Sequence, residues 1–390
     1  MGRCERLPEH RRPTPRPGRW ELSQEGLKLT TYFGERSRVE GVLLADKLLD
    51  LHARHGIRSS ILLRGVQGFG AKHRLRSDRL LTLSEDLPLV CVAVDVREQI
   101  ERLRADVSSI GHEGLLTFER ARLYDDARES NQGISPGEAE RSLVARTSID
   151  RGQGVQDPAQ TTKLTIYLGR HERIDGSPAF IAVCRTLHES GVAGATVLLG
   201  VDGTRAGVRE RARFFARNQD VPLMVVSVGD QRQINAAIGR LDHMLDQPLF
   251  TLEDVRVCKR DGVLLERPHE EASTSTYGMD IRQKLTVVIS EAALHERRSV
   301  YVELIRRLRD AGAAGATSLR GIWGFHGNHP PHGDRLLSIR RHVPVVTETI
   351  DSPERIAALF PIVDELTREQ GLVTSELVPA SSALHGAPGL

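Results

Sequence analysis

Arg64, Gly65, Gly68 and Gly70 stand close together in the chain, with Lys72 and Arg74 just beyond. Glycines let the backbone turn tightly and bring its N–H groups close to an anion. The cations add positive charge at the same place, together with His73, Arg76 and Arg79. The chemistry this combination offers is binding of a phosphate or an acidic metabolite. A bland reading stands beside it, in which the loop is basic and solvated and its glycines only shape a turn. Arg320, Gly321 and Gly324 repeat the pattern near the other end of the chain.

That recurrence belongs to a larger one. Lys28-Leu29-Thr30, Lys163-Leu164-Thr165 and Lys284-Leu285-Thr286 each open a segment of similar length. Gly56, Gly191 and Gly312 follow in register, then Gly65, Gly200 and Gly321, then Gly68, Gly203 and Gly324. A repeat of this kind sets the architecture before any local motif does. The chain of 390 residues divides into an arm at 1–26, a repeat at 27–124, a linker at 125–161, a second repeat at 162–258, a linker at 259–283, a third repeat at 284–378 and a tail at 379–390. The arm and tail read as disordered. The tail's polar character begins at about Glu376.

Within the first repeat, 28–34 reads as a strand. Residues 39–55 read as a helix closed by Gly56, and 57–64 as a second strand. After the glycine-bearing stretch come a strand at 87–95, a helix at 97–110 and a last strand at 115–123. The order is β-α-β-β-α-β, an α+β arrangement of the split βαβ type. The third strand is apolar on both faces: Val90, Val92 and Val94 on one, Leu89, Cys91 and Ala93 on the other. Two helices cover only one face of such a sheet, so the second face needs another cover. The equivalent faces of the other copies would supply it, as a pseudo-trimer within one chain. Met224, Val226 and Val228 continue the apolar face in copy two, whereas copy three places Glu348 there.

Other candidates are weaker. Gly111-His112-Glu113-Gly114 either adds backbone donors to an anion site or simply ends a helix. His326, His329 and His332, with His342 nearby, are interrupted by Pro330 and Pro331, so a polar loop is the better reading than a metal site. Copy two has Leu199 where the others have arginine, and residues 209–217 read as a helix. No nucleophilic triad, paired catalytic carboxylates or metal signature recurs in the copies, so the reading is non-enzymatic, without catalytic residues or metal. The formal charge of +2 gives no mandate for nucleic acid. No apolar run approaches a membrane span. The four cysteines, Cys4, Cys91, Cys184 and Cys258, form no paired motif, which suits a reducing cytoplasm.

The segments Leu63-Arg64-Gly65-Val66-Gln67-Gly68-Phe69-Gly70 and Leu319-Arg320-Gly321-Ile322-Trp323-Gly324-Phe325, with Glu85-Asp86-Leu87-Pro88, resemble the PII-like bacterial family called domain of unknown function 190. The resemblance spans nearly all of the three repeats and none of the linkers. It implies ferredoxin-like domains and a PII-like trimeric arrangement, met here by a monomer with pseudo-threefold symmetry. It also implies an adenine nucleotide or other small anion bound in clefts between repeats. Occupancy would be signalled through the loop between strands two and three. Because such genes often neighbour fluoride exporters, it implies a protein partner such as a membrane channel or transporter. A ligand-free scaffold and a metal-tolerance protein are the alternatives. Copy two, lacking the arginine and the phenylalanine, departs from the pattern and puts its site in doubt.

Overall fold

The computed structural model describes residues 24–70, 73–78, 86–111, 114–124, 161–211, 221–246, 248–269, 279–327, 331–333 and 343–382. Residues 1–23 of the arm proposed at 1–26, residues 125–160 of the linker proposed at 125–161, and Lys72 lie outside them, whereas residues 24–26 and Thr161 already belong to strands. The described chain is a mixed α/β, sheet-dominated protein of three repeats with six helices.

Each repeat places four principal strands in one antiparallel sheet. In repeat one these are Gln24–Gly34, Ser59–Arg64, Pro88–Val96 and Leu115–Tyr124. The first lies between the third and fourth, and the second lies outside the third. Repeat two builds the same order from Thr161–Gly169, Gly194–Leu199, Pro222–Asp230 and Leu249–Asp254. Repeat three uses Asp280–Ser290, Ala316–Arg320, Pro344–Asp351 and Leu372–Ser382.

Alternation along the strands decides which side chains meet the helices. In repeat one, Leu89, Cys91 and Ala93 pack under the helices Leu44–Arg54 and Arg97–Ser109, against Leu48, Leu49, Ile100 and Leu103. Val90, Val92 and Val94 face the other way. There they join Leu198 and Met224 of repeat two and Leu319 and Val346 of repeat three in one central cluster. The second apolar face is thus covered by the other copies. Cys91, Cys184 and Cys258 are buried and free.

The repeats are stitched in two closed cycles. Gln67–Phe69 of repeat one pairs with Ala316–Ser318 of repeat three. Trp323–His326 of repeat three pairs with Gly194–Val197 of repeat two. Asp202–Arg205 of repeat two pairs with Ser59–Leu62 of repeat one. The fourth strands or their extensions also join each repeat to the next: Tyr124 opposite Phe250, Arg256 opposite Ser375, and Ala380 opposite Thr117.

Four boundaries differ from the sequence reading. The first helix begins at Leu44 rather than Val39, because Arg38–Val39 and Val42–Leu43 form a small hairpin. Its turn residues Glu40 and Gly41 both have positive φ, the geometry of a tight two-residue hairpin. Residues 208–211 form a strand of a hairpin, not the start of a helix. Part of the linker proposed at 259–283 is ordered, since Arg256–Arg260 pairs with the last strand and Val263–Leu264 folds back on it. The last strand runs to Ser382, so Glu376 and residues 379–382 belong to the sheet and not to a tail.

Candidate functional site

The triplets that open the repeats meet at the centre of the molecule. Lys28 lies opposite Glu119 across the strand pair of repeat one. Lys163 lies opposite Glu253, and Lys284 opposite Glu376. Each lysine also reaches the glutamate of the following repeat. Lys28 Nζ is 2.5 Å from Glu119 and 2.6 Å from Glu253. Lys163 is 2.8 Å from Glu253 and also pairs with Glu376. Lys284 is 2.8 Å from Glu376 and 2.7 Å from Glu119, which closes the ring. All six side chains are buried.

Burial opposes every one of these charges, so the ring holds only because each charge has two opposite neighbours. Burial alone would lower the Lys28 pKa, but the Glu119 and Glu253 carboxylates raise it above the ordinary lysine range. Glu119 and Glu376 likewise raise that of Lys284. Burial would raise Glu119, yet Lys28, Lys284 and Lys163 hold it well below the usual carboxylate range. Lys163 and Lys284 overcome burial at Glu376 and bring it to about 2. Oxygens of the three glutamates lie within 4.8 Å of one another, a spacing that suits a metal ion. Three ammonium groups already occupy the positions around them. The ring is an ion lock between repeats.

One layer along the strands, Thr30 lies opposite Thr117, Thr165 opposite Thr251 and Thr286 opposite Thr374. The next layer breaks the symmetry, with Tyr32 and Tyr167 in two repeats and Val288 in the third. Glu348 stands where the sister strands carry Val92 and Val226. Tyr32 donates to its Oε2 at 2.9 Å. A cavity of about 90 Å³ lies among these layers, walled by Val90, Met224, Val226, Leu319 and Val346.

The glycines and cations singled out in the sequence lie elsewhere, at the seams. Gly65 N–H donates to Pro88 O, and a side chain on Gly65 would meet Ser318 O of repeat three at 3.2 Å. Gly68 pairs with Thr317, where a Cβ would come within 2.6 Å of Ala316 O. Gly321 and Gly324 press against repeat two in the same way, with Ala195 O 2.3 Å from a Cβ on Gly324. These glycines allow one repeat's backbone to lie against the next. Gly70 and Arg74 are exposed. Gly111, at φ 61°, follows the helix that ends at Ser109, as a stop glycine does. Gly114 sits at the bend before the last strand. His112, Glu113, His329 and His342 lie outside the described residues.

Both arginines have carboxylate partners. Arg64 makes a two-pronged pair with Glu35 at 2.8 and 2.9 Å. Arg320 pairs with Glu291 at 2.9 Å and, across the seam, with Asp78 of repeat one at 3.2 Å. In repeat two Arg170 occupies the place of these acids and Leu199 that of the arginines, so the pair is missing there. Arg209 instead gathers Asp202, Asp46 and Asp50, tying the hairpin of repeat two to the first helix of repeat one.

The central ring was not singled out from the sequence, though its signal is there. The lysine heads each Lys-Leu-Thr triplet. The acid ends Thr117-Phe118-Glu119, Thr251-Leu252-Glu253 and Thr374-Ser375-Glu376, one Thr-x-Glu in each last strand.

A three-repeat α/β chain with this internal register matches a known family model three times, over residues 26–123, 161–257 and 282–380. The chain therefore belongs to that family, DUF190, described as Uncharacterized ACR, COG1993. Its relatives match one repeat at a time. A UPF0166 protein of Aquifex aeolicus is 28% identical over 91 residues, which is 23% of this chain and 86% of the relative. A further UPF0166 match from the same organism is 30% identical over 70 residues, 18% of this chain and 73% of the relative. UPF0166 protein MJ1524 of Methanocaldococcus jannaschii is 27% identical over 97 residues, 25% of this chain and 89% of the relative.

Proposed function

We propose that the chain is a non-enzymatic, cytoplasmic PII-like regulatory protein. Three ferredoxin-like repeats close into an intramolecular pseudo-trimer. The pseudo-trimer takes a small anionic ligand of the nucleotide type at a seam between repeats. The two closed cycles of strand pairing and the fourth-first-third-second strand order support the architectural part.

The observation that carries the functional part is the position of Arg320. It ends the second strand of repeat three and holds Asp78, which lies in the loop of repeat one that begins at Gly65. Burial works against its charge, and Glu291 and Asp78 more than restore it. A phosphate carries more charge and more acceptor oxygens than one carboxylate, and suits a guanidinium fork. A ligand phosphate that takes Arg320 from Asp78 would release the loop base and so report its own arrival to a partner protein. Arg64 has the same place in repeat one, but among the described residues no acid of the neighbouring repeat is paired with it.

Thermal shift in phosphate-free buffer tests this reading. ATP, ADP or a cyclic dinucleotide should raise the melting midpoint of the wild type, and Arg320→Ala should lose most of that rise. No shift with any of them in the wild type sinks the ligand reading. It would favour the ligand-free scaffold, whose supporting observation is that Arg64 and Arg320 already have carboxylate partners. Among the described residues no helix is long and apolar enough to cross a membrane, so a channel or transporter would be a partner rather than part of the described fold.

A further inference from the structure

We infer that the central cavity takes a small uncharged molecule, a short alcohol or ketone, in a space that the loss of one tyrosine ring opens between repeats two and three. The strand register shows the substitution. Tyr32 lies opposite Val90 and Leu115, Tyr167 opposite Met224 and Leu249, and Val288 opposite Val346 and Leu372. The third repeat thus carries a valine where its sisters carry a phenol ring. All three side chains line the cavity.

The tyrosine of repeat one reaches across a seam, since Tyr32 donates to Glu348 of repeat three at 2.9 Å. One step round the cycle, position 288 of repeat three faces the third strand of repeat two. There the shorter Val288 packs against the cluster of Val228 and Leu372. The cavity widens at that place. Leu372 and Thr374 line it, whereas their sisters Leu115, Thr117, Leu249 and Thr251 do not. Val228 lines it, and its sisters Val94 and Ile350 do not. Gly194 and Thr196 of repeat two complete the wall. Protein interiors are close-packed, so a one-sided gap in a threefold layer is what the loss of one ring from three leaves.

Charge, wall chemistry and size select the ligand. The charges are already matched: each lysine of the ring lies between two glutamates, and Glu348 accepts from Tyr32. A charged ligand would lose its water with nothing left to balance it. The wall on this side is apolar, from Val226, Val228, Val288 and Leu372, so it favours an alkyl group. Thr196 and Thr374 belong to the same wall, and a threonine hydroxyl both donates and accepts. One hydroxyl or carbonyl on the ligand would meet them. A cavity of about 150 Å³ admits benzene, so one of about 90 Å³ admits about four heavy atoms. 2-Propanol and acetone have that size.

Methyl NMR of the full chain, labelled at valine and titrated with 2-propanol and with acetone, tests the site. The Val226, Val228 and Val288 methyls should shift saturably, with one dissociation constant for all three. Val288→Tyr, which installs the residue of the sister repeats, should weaken binding at least tenfold, read at Val226 and Val228. Val288→Leu, a smaller filling, serves if the tyrosine variant does not fold, and should weaken binding severalfold. Acetate and isopropylammonium have the same number of heavy atoms but carry charge, and neither should bind. Shifts that stay linear with concentration in the wild type, or binding unchanged by filling at position 288, overturn the site. Saturable binding of either ion at these methyls overturns the uncharged class.

Discussion

Lys28 Nζ lies 2.6 Å from a carboxylate oxygen of Glu253, a residue of the next repeat. The same reach recurs from Lys163 to Glu376 and from Lys284 to Glu119, so every repeat holds its successor by a buried charge. Removing one member leaves uncompensated charge in a dry interior. Such losses cost about 3–5 kcal/mol. Lys163→Met and Glu119→Leu should each lower stability by that order in urea titration. A surface pair of the same type, Arg240 with Glu189, should move it by less than about 1 kcal/mol when broken.

The ring also sets a pH window. The folded-state pKa values of Glu119 and Glu376 lie below that of an unfolded glutamate. Their contribution is therefore complete above about pH 4.3 and is lost as pH falls towards 2. Lys28 and Lys284 are shifted upward, so theirs is complete below about pH 10.4 and lost only above it. Denaturation midpoints followed across pH should show ring-dependent losses at both extremes. Glu376→Gln should weaken the acid-side loss.

His52 adds a separate step. It is 1% exposed, and among the described residues neither ring nitrogen has a hydrogen-bond partner. Burial, then the neighbouring His55, lowers its pKa to about 3. The neutral ring is thus favoured in the fold. Its contribution is present above about pH 6.5 and declines below it, with a slope of about 1.4 kcal/mol per pH unit. His52→Leu should flatten stability between pH 6.5 and 4.5. An unchanged slope in that variant would assign the step to another group.

Much of this was legible in the residues, and the reasons for the rest are physical. The repeat, the strand and helix order and the two faces of the third strand follow from periodicity. Glu348 already stood out as a charge on an apolar face. The Lys–Glu ring was harder, because each member is an ordinary polar residue on an alternating strand, and only closure of three repeats brings all six together. Glu376 looked like the start of a tail since Pro379, Ser381 and Ser382 follow it, but pairing with Lys284 and its neighbours extends the strand. The glycines were visible, but their task was not. Phosphate loops and close backbone contacts ask for the same residue.

That last distinction can be measured. A Cβ at Gly203 would lie 2.3 Å from Ser60 O of repeat one, whereas one at Gly70 meets nothing within 4 Å. Gly203→Ala should cost about 1–3 kcal/mol through overpacking of the seam. Gly70→Ala should stay within about 0.5 kcal/mol. Equal effects would show that the glycine at 203 does not serve repeat-to-repeat contact.

One chain closes its own three-repeat ring. Light scattering after size-exclusion chromatography measures that directly. The account predicts a compact particle of one chain, 43.2 kDa. A particle of three chains, with like repeats paired between molecules, would contradict it.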